Sequence, residues 1–526
     1  MDALQRPRSG DQPRRRAERQ PRDRLVQCAT VALLGRPGHP ASLTTSEEIT
    51  MKTSSKTLFV LALAAAGAGA ACTDFLRGPG LTDNPNSPVT VTPTQQLIAM
   101  QSNMATVLEG QLARCAGIST QQLIGSNNQQ LTYCTQYRVS EGDISGQMAA
   151  FYTGGGLVAM RNIEASGDPL LVGIAKIWEG LAFGTATSVW GDLPYSEALN
   201  PAIVTPRLDR QEDIYADVFN RLDEGITSLQ SASAAGNCEP ADLIYCSTAG
   251  PRATEIARWI AAANTLKARF HLHLVERNGV PEYAAALAAA NLGIAEIPAT
   301  AADGMHGRGP GDFRMFHGNV QDSDANIWAE FLAQRSDIVA GNVLVSVMKA
   351  RNDTIRLAAY FDRNAASQFI GSDQNNVAVP PTSAPSAINT SVRRLFTFRQ
   401  PIVTWAENQL ILAEAKFRTG DSAGAVVNVN NVRTKVGLPA LAGASFTDVM
   451  LEKYIAMFQN IDVWSDYKRT CVPTLIPYTG NSEVLGRLPY GAAERNANPN
   501  VPLPTQYPGS TSGSSPVRNW NDPNAC

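Results

Sequence analysis

The chain has 526 residues, 44 Lys/Arg against 47 Asp/Glu and a formal net charge of −3, with no sustained run of acidic residues. Residues 1–71 hold 11 Lys/Arg and 6 Asp/Glu, so the remainder is more acidic, at about −8, which speaks against nucleic acid or an anionic membrane surface as partner. The length suggests up to three domains by the usual prior, but no low-complexity stretch or charge block divides the chain from Cys72 onward.

The N-terminus carries the first signal. Met51-Lys52-Thr53-Ser54-Ser55-Lys56 is a short basic start, Leu58 to Ala71 is an apolar run ending in small residues, and Cys72 follows at once. That order is the pattern of an export signal, and a cysteine just after the cut points to a lipidated mature N-terminus at Cys72. The run is shorter than the roughly 20 residues a membrane-spanning helix needs. An ordinary secretory signal cut near Ala71, leaving Cys72 for a disulfide, is the alternative. Residues 1–50 hold an arginine run, Arg14 to Arg24, without an amphipathic pattern. Because an export signal works from the N-terminus, residues 1–50 are expected to lie upstream of a true start at Met51. A basic nucleic-acid arm is the rival reading. The division expected is therefore 1–50 extension, 51–71 signal and 72–526 one domain.

Further along, the pattern is helical. Ile214 to Leu229 repeats apolar residues at helical spacing, and Ile256, Trp259, Ile260, Ala263, Leu266, Phe270 and Leu274 mark one face of a helix over 254–274, with Thr254 as its expected N-cap. His271 and His273 are two apart on that helix, so they point to different faces and cannot clamp one metal. Trp405 to Arg418 and Ser422 to Val436 form a predicted helical hairpin. Between them Gly420 ends the first helix and Asp421 caps the second; Gly437 ends the second. Glu414 and Arg433 face each other as a possible ion pair across the hairpin. A last helix is predicted over 447–460. Strand signals are weak and confined to Val343-Leu344-Val345 and Arg394 to Arg399.

Six cysteines follow Cys72: Cys115, Cys134, Cys238, Cys246, Cys471 and Cys526. An even count in an exported chain fits disulfides, although six allow many pairings. Proximity favours 115 with 134, 238 with 246 and 471 with 526. No CxxC, HExxH, GxSxG or P-loop occurs, so no metal, cofactor or catalytic centre is expected.

Trp190-Gly191-Asp192-Leu193-Pro194-Tyr195 resembles a Gly-Asp-x-Pro-Tyr segment of the SusD/RagB family of outer-membrane nutrient-binding lipoproteins. The likeness continues in order through Trp259, Asn264, Leu266, Lys267 and Arg269, then Glu407, Leu410, Ala413, Glu414 and Ala415, then Asn430, Val432, Arg433 and Gly437. Trp464, Asp466 and Arg469, and Pro489, Tyr490, Glu494 and Asn496, close it. Phe458-Gln459-Asn460 departs from the family's usual Phe-Glu-Gly. The resemblance implies a mostly α fold, with tetratricopeptide-like helix pairs behind a loop-rich ligand-binding face. It implies a lipid-anchored protein of the outer membrane, facing the cell surface, that is not an enzyme. Such a protein would capture an oligosaccharide and pass it to a SusC-like TonB-dependent transporter. A peptide-binding member of the family and a periplasmic helical-repeat scaffold for protein partners are the alternatives. A glycosidase would need two carboxylates roughly 5–9.5 Å apart in one cleft.

Saccharide binding needs exposed rings for stacking and amides or carboxylates for hydroxyls. Two loop regions have that mixture: 126–152, with Asn127, Tyr133 and Tyr137, and 305–335, with Phe316, His317, Asn326 and Trp328. Those seven residues are the expected ligand contacts, with core packing the competing role for each aromatic.

Overall fold

The computed structural model describes residues 91–247, 249–377, 384–504, 518–524 and 526. The expected extension, signal segment and lipidated Cys72 lie outside them. The first helices are α1 (Pro93–Glu109) and α2 (Gln111–Ser119); Thr92 and Gln95 close a capping box at the start of α1. Strand β1 (Leu123–Gly125) and helix α3 (Leu157–Glu164) lead into α4 (Pro169–Trp190), which Asp168 caps through the Leu170 and Leu171 amides. By length and composition α4 is apolar enough to cross a membrane, but it is buried on nearly all sides as the central helix of the core.

Glycines explain how α4 is enclosed. A Cβ on Gly173 or Gly180 would meet the Leu229 or Leu222 side chain of α5 (Gln211–Ser231) at 2.6 and 2.8 Å. A Cβ on Gly184 would meet the Phe270 ring of α6 (Arg252–His273) at 2.3 Å. The contacts with α5 run in opposite sequence directions, so α4 and α5 are antiparallel. Helix α6 starts at Arg252 after Pro251, so Thr254 lies inside the first turn and is not the N-cap expected. Helix α7 (Val280–Ala290) packs on α6. Strand β2 (Phe313–Arg314), helix α8 (Ile327–Gln334) and strand β3 (Ile338–Ala340) follow, then β4 (Pro401–Val403). β1 pairs antiparallel with β3, Ile124 opposite Val339, and β2 pairs antiparallel with β4 across a bulge.

Helices α9 (Trp405–Arg418) and α10 (Ser422–Lys435) form the expected hairpin, with Gly420 at φ +96° and Asp421 accepting from the Gly424 amide. Helix α11 (Phe446–Ala456) starts from a Ser445/Asp448 capping box and is shorter than its periodicity predicts; α12 (Val463–Thr470) follows. The strand expected at Val343–Val345 is helical instead, within Asn342–Ala350, where Leu344, Val345 and Met348 share the buried face. Arg394 to Arg399 is irregular loop.

Glu414 and Arg433 do not pair. Glu414 binds Arg469, with Arg469 Nη2 to Oε2 at 2.7 Å, and Arg433 reaches Glu452 at 3.1 Å. Each is buried, and each finds a nearer partner on α12 or α11 than across the hairpin. The three disulfides are 115–134, 238–246 and 471–526, with Cα separations of 5.0, 5.6 and 5.2 Å, as proximity suggested. The Trp190–Leu199 segment is a structural corner. Trp190 donates to the Pro489 carbonyl, Asp192 accepts from the Gln211 amide and the Tyr195 hydroxyl donates to Glu179.

Candidate functional site

One cavity of about 290 Å³ lies between α1, the loop closed by Cys238–Cys246 and the segment 315–327. Its position follows from two polar anchors. Gln101 on α1 donates to the Ala241 carbonyl at 2.9 Å and accepts from the Leu243 amide at 3.0 Å, tying the disulfide loop to the helix. Arg399 spreads one guanidinium over the carbonyls of Leu243, Ile244 and Arg314 at 2.8–3.0 Å and the Ser247 hydroxyl. Burial, with Arg314 nearby, holds Arg399 down to about 10, so it remains a cation at neutral pH.

Within this frame Phe316 and His317 turn in opposite directions. Phe316 is 41% exposed at the cavity wall, with the Arg399 guanidinium carbon 5.9 Å from its ring centroid. Across from it Ile98 is also exposed, and Ser102, Thr106, Ser323 and Asp324 supply polar atoms to the lining. His317 is buried, and its Nε2 lies 2.9 Å from a carboxylate oxygen of the wholly buried Glu109 at the end of α1. Burial alone would lower the His317 pKa, but the Glu109 carboxylate outweighs it and raises it. The pair fixes the loop to α1, and Asp324 closes the loop by accepting from the Val320 amide at 2.9 Å. The result is an apolar recess with one presented ring and a few hydroxyl and carboxylate groups. That combination suits a ligand with both a flat apolar face and hydroxyls. Asp324 is the one carboxylate among the described lining residues.

The other expected contacts fall elsewhere. Trp328 is fully buried in α8 and presents no face for stacking. Asn326 is buried as the N-cap of α8, accepting from the Ala329 amide and donating to the Phe398 carbonyl. The cap sets the direction of α8, which turns Trp328 inward. Tyr137 is buried at φ +57°, and burial raises its pKa. Asn127 is exposed as a cap, and Tyr133 is half-buried beside the 115–134 disulfide. No residue of 126–152 lines the Phe316 cavity. That segment instead meets the start of β3, where Asn128 donates to Asp337 at 3.0 Å, and the loop holding Gln374, which donates to the Thr135 carbonyl. Of the seven residues, the structure brings only Phe316 and His317 to one cavity.

Sequence reasoning missed Ile98, Ser102, Thr106 and Arg399. The first three recur at helical spacing on α1 and could have been found as a face mixing apolar and hydroxyl groups. Arg399 acts through backbone carbonyls of remote segments and leaves no sequence signature. Among the described residues no group of three His, Cys, Asp or Glu side chains is placed to hold a metal.

Residues 85–491 match the family model SusD-like_2, described as starch-binding and associating with the outer membrane. No curated protein matches the chain. Among solved structures, a SusD/RagB family protein from Bacteroides thetaiotaomicron is similar at 19% identity over 78% of this chain and 95% of its own, with a TM-score of 0.59. A chitin-binding SusD homologue from Flavobacterium johnsoniae is similar at 16% identity over 82% and 98%, with a TM-score of 0.65. A SusD homologue from Bacteroides vulgatus is similar at 16% identity over 82% and 97%, with a TM-score of 0.63. Likeness at such identities carries the fold, while the family match covers most of the chain. The chain belongs to the SusD/RagB family of SusD-like proteins.

Proposed function

We propose that the protein is a saccharide-capturing lipoprotein of the outer membrane, anchored through Cys72 after removal of 51–71 and facing the cell surface. It binds an oligosaccharide without breaking it and passes it to a SusC-like TonB-dependent transporter. The family's description as starch-binding and outer-membrane-associated supports this reading, as does the chitin-binding relative of the same fold. The single observation that carries it is the Phe316 ring, exposed on an apolar recess with hydroxyl-bearing neighbours. A sugar ring would stack on Phe316 and Ile98, while Ser102, Thr106 and Asp324 would bond its hydroxyls.

The test is calorimetric titration of the soluble chain from Thr73 onward with starch and chitin oligosaccharides, followed by analysis of the recovered sugar. Binding of an intact saccharide that weakens on Phe316→Ala supports the proposal. Silence across saccharides with clear binding of peptides, or release of shortened sugar, overturns it.

A further inference from the structure

A small cavity of about 20 Å³ lies between the helix Thr354–Tyr360, the segment 304–307, β4 and the residues that follow α11, and its lining includes Arg356, Tyr360, Arg393 and Phe458. A water-sized occupant needs about 10–15 Å³, so the space suits one small species and no sugar. Arg356 and Arg393 are both buried, but they are compensated differently. Arg356 donates from Nε to Asp353 at 2.6 Å, and its Nη2 lies 2.6 Å from a carboxylate oxygen of Glu452. Arg351 and Arg433 also reach Glu452, and Arg351 binds Asp448 as well. Three carboxylates, Asp353, Asp448 and Glu452, thus balance three arginines and leave none for the fourth, Arg393.

Among the described residues Arg393 meets only neutral groups. Its Nη1 donates to the Gln459 amide oxygen at 3.0 Å and its Nη2 to the Met305 carbonyl at 3.2 Å. The Tyr360, Phe458 and Phe398 ring centroids lie 4.6, 4.9 and 5.5 Å from its guanidinium carbon. Such rings ease the burial of a cation without adding a negative charge. Burial, with Arg308 nearby, holds Arg393 down to about 10, so it remains a cation at neutral pH. Two buried donors of the arginines lining the cavity, Arg393 Nε and Arg356 Nη1, have no acceptor. A buried charge without a counter-charge is costly. Gln459 explains the excess: it stands where the family usually carries Glu, and its Nε2 also has no acceptor. A glutamate there would face Arg393 with a carboxylate.

We propose that this cavity binds one monatomic anion, a halide such as chloride, which accepts from Arg393 and Arg356 and neutralises the charge of Arg393. The excess is a single positive charge, the open groups are donors, and the volume excludes polyatomic anions such as sulfate. A water could accept from the same donors but would leave the charge in place. The site shares no lining residue with the Phe316 cavity and does not depend on saccharide capture. Its anion would tie the core around α10 and α11 to the segment 304–307, taking the part that a carboxylate at position 459 would play.

The experiment measures Tm of the full chain against sodium chloride and sodium bromide in the parent and in Gln459→Glu, with sodium gluconate holding ionic strength constant. Gluconate is too large for the cavity. In the parent, each tenfold rise in halide above its dissociation constant should raise Tm by about 1–2 °C. Gln459→Glu supplies the negative charge internally, so it should have the higher Tm without halide and lose the halide-dependent rise. Salts also act on the protein surface, so the readout is the difference between parent and variant. Circular dichroism would check that the variant folds. If it does not, diffraction from parent crystals grown in bromide decides, with an anomalous bromide signal expected beside Arg356 and Arg393. Equal halide responses in the two chains, or an ordered water without anomalous signal in the cavity, overturn the inference.

Discussion

The helices around α9 and the cavity beside α1 treat polar side chains in opposite ways. Between α9 and α12 the ionic groups are buried and paired with one another. Arg469 bridges Glu414 and Asp466, which Lys453 also reaches, and Arg269 binds Glu407 through two bonds at 2.6 and 2.7 Å. His273 joins Asp462 at 2.9 Å. Burial alone would raise the Glu414 pKa, but Arg469 and Lys453 outweigh it and lower it. At the Phe316 cavity one buried pair, His317 with Glu109, anchors the loop, while Phe316, Ser323 and Asp324 remain on the open side. The scaffold pairs its charges internally, whereas the cavity holds polar groups on its open side. An ion pair in such a scaffold is therefore poor evidence of chemistry, and an exposed ring beside a recess is better evidence of binding.

Four substitutions sharpen that contrast. The largest effect is expected for Arg469→Ala, which leaves Glu414 and Asp466 in the core with Lys453 as their shared remaining cation and should cost about 3–5 kcal/mol of stability. Chemical denaturation would read it, and a loss within experimental error would mean the network is better solvated than its burial implies. Trp328→Ala, in the core, should cost a similar about 3–5 kcal/mol by leaving a cavity, yet keep saccharide affinity in the folded fraction. Cys471→Ser with Cys526→Ser should cost about 2–4 kcal/mol by freeing the C-terminal residues, seen as a lower Tm without change in the far-ultraviolet spectrum.

A smaller effect concerns pH. Burial, together with Arg393 and Arg308, holds His306 down to about 3 against 6.5 for an ordinary histidine. The unfolded chain therefore binds more protons between those values, and stability falls as pH drops through that window, by up to about 1.4 kcal/mol per pH unit for one proton. His306→Gln should flatten the Tm profile between pH 6 and pH 4, roughly the upper part of that window. An unchanged profile would assign the acid sensitivity to the carboxylates of the scaffold instead.

How much of this was legible in the sequence depends on range. Helix α9 follows its predicted ends because local signals set both of them, Thr404 as cap and Gly420 beyond the end. The segment Val343–Val345 looks like a strand by composition, but its buried face is completed by Met348 at helical spacing, and packing overrides the β preference. Composition picked out the 305–335 region, which contributes Phe316 to the cavity, yet composition cannot say which way a ring turns. Asn326 and Trp328 carry the same kinds of side chain as a binding loop and serve instead as a cap and a core residue. Arg433 found Glu452 instead of Glu414 because the nearer partner comes from a helix that pairing within the hairpin does not reveal.

The most direct test of the central claim is a side-by-side saccharide titration of the parent chain, Phe316→Ala and Trp328→Ala, each with its Tm measured in parallel. Phe316→Ala should weaken binding at least about tenfold, or about 1.4 kcal/mol, with stability changed by no more than about 0.5 kcal/mol. Trp328→Ala should do the reverse, lowering Tm and sparing affinity. Undiminished binding in Phe316→Ala would place the saccharide site away from this cavity.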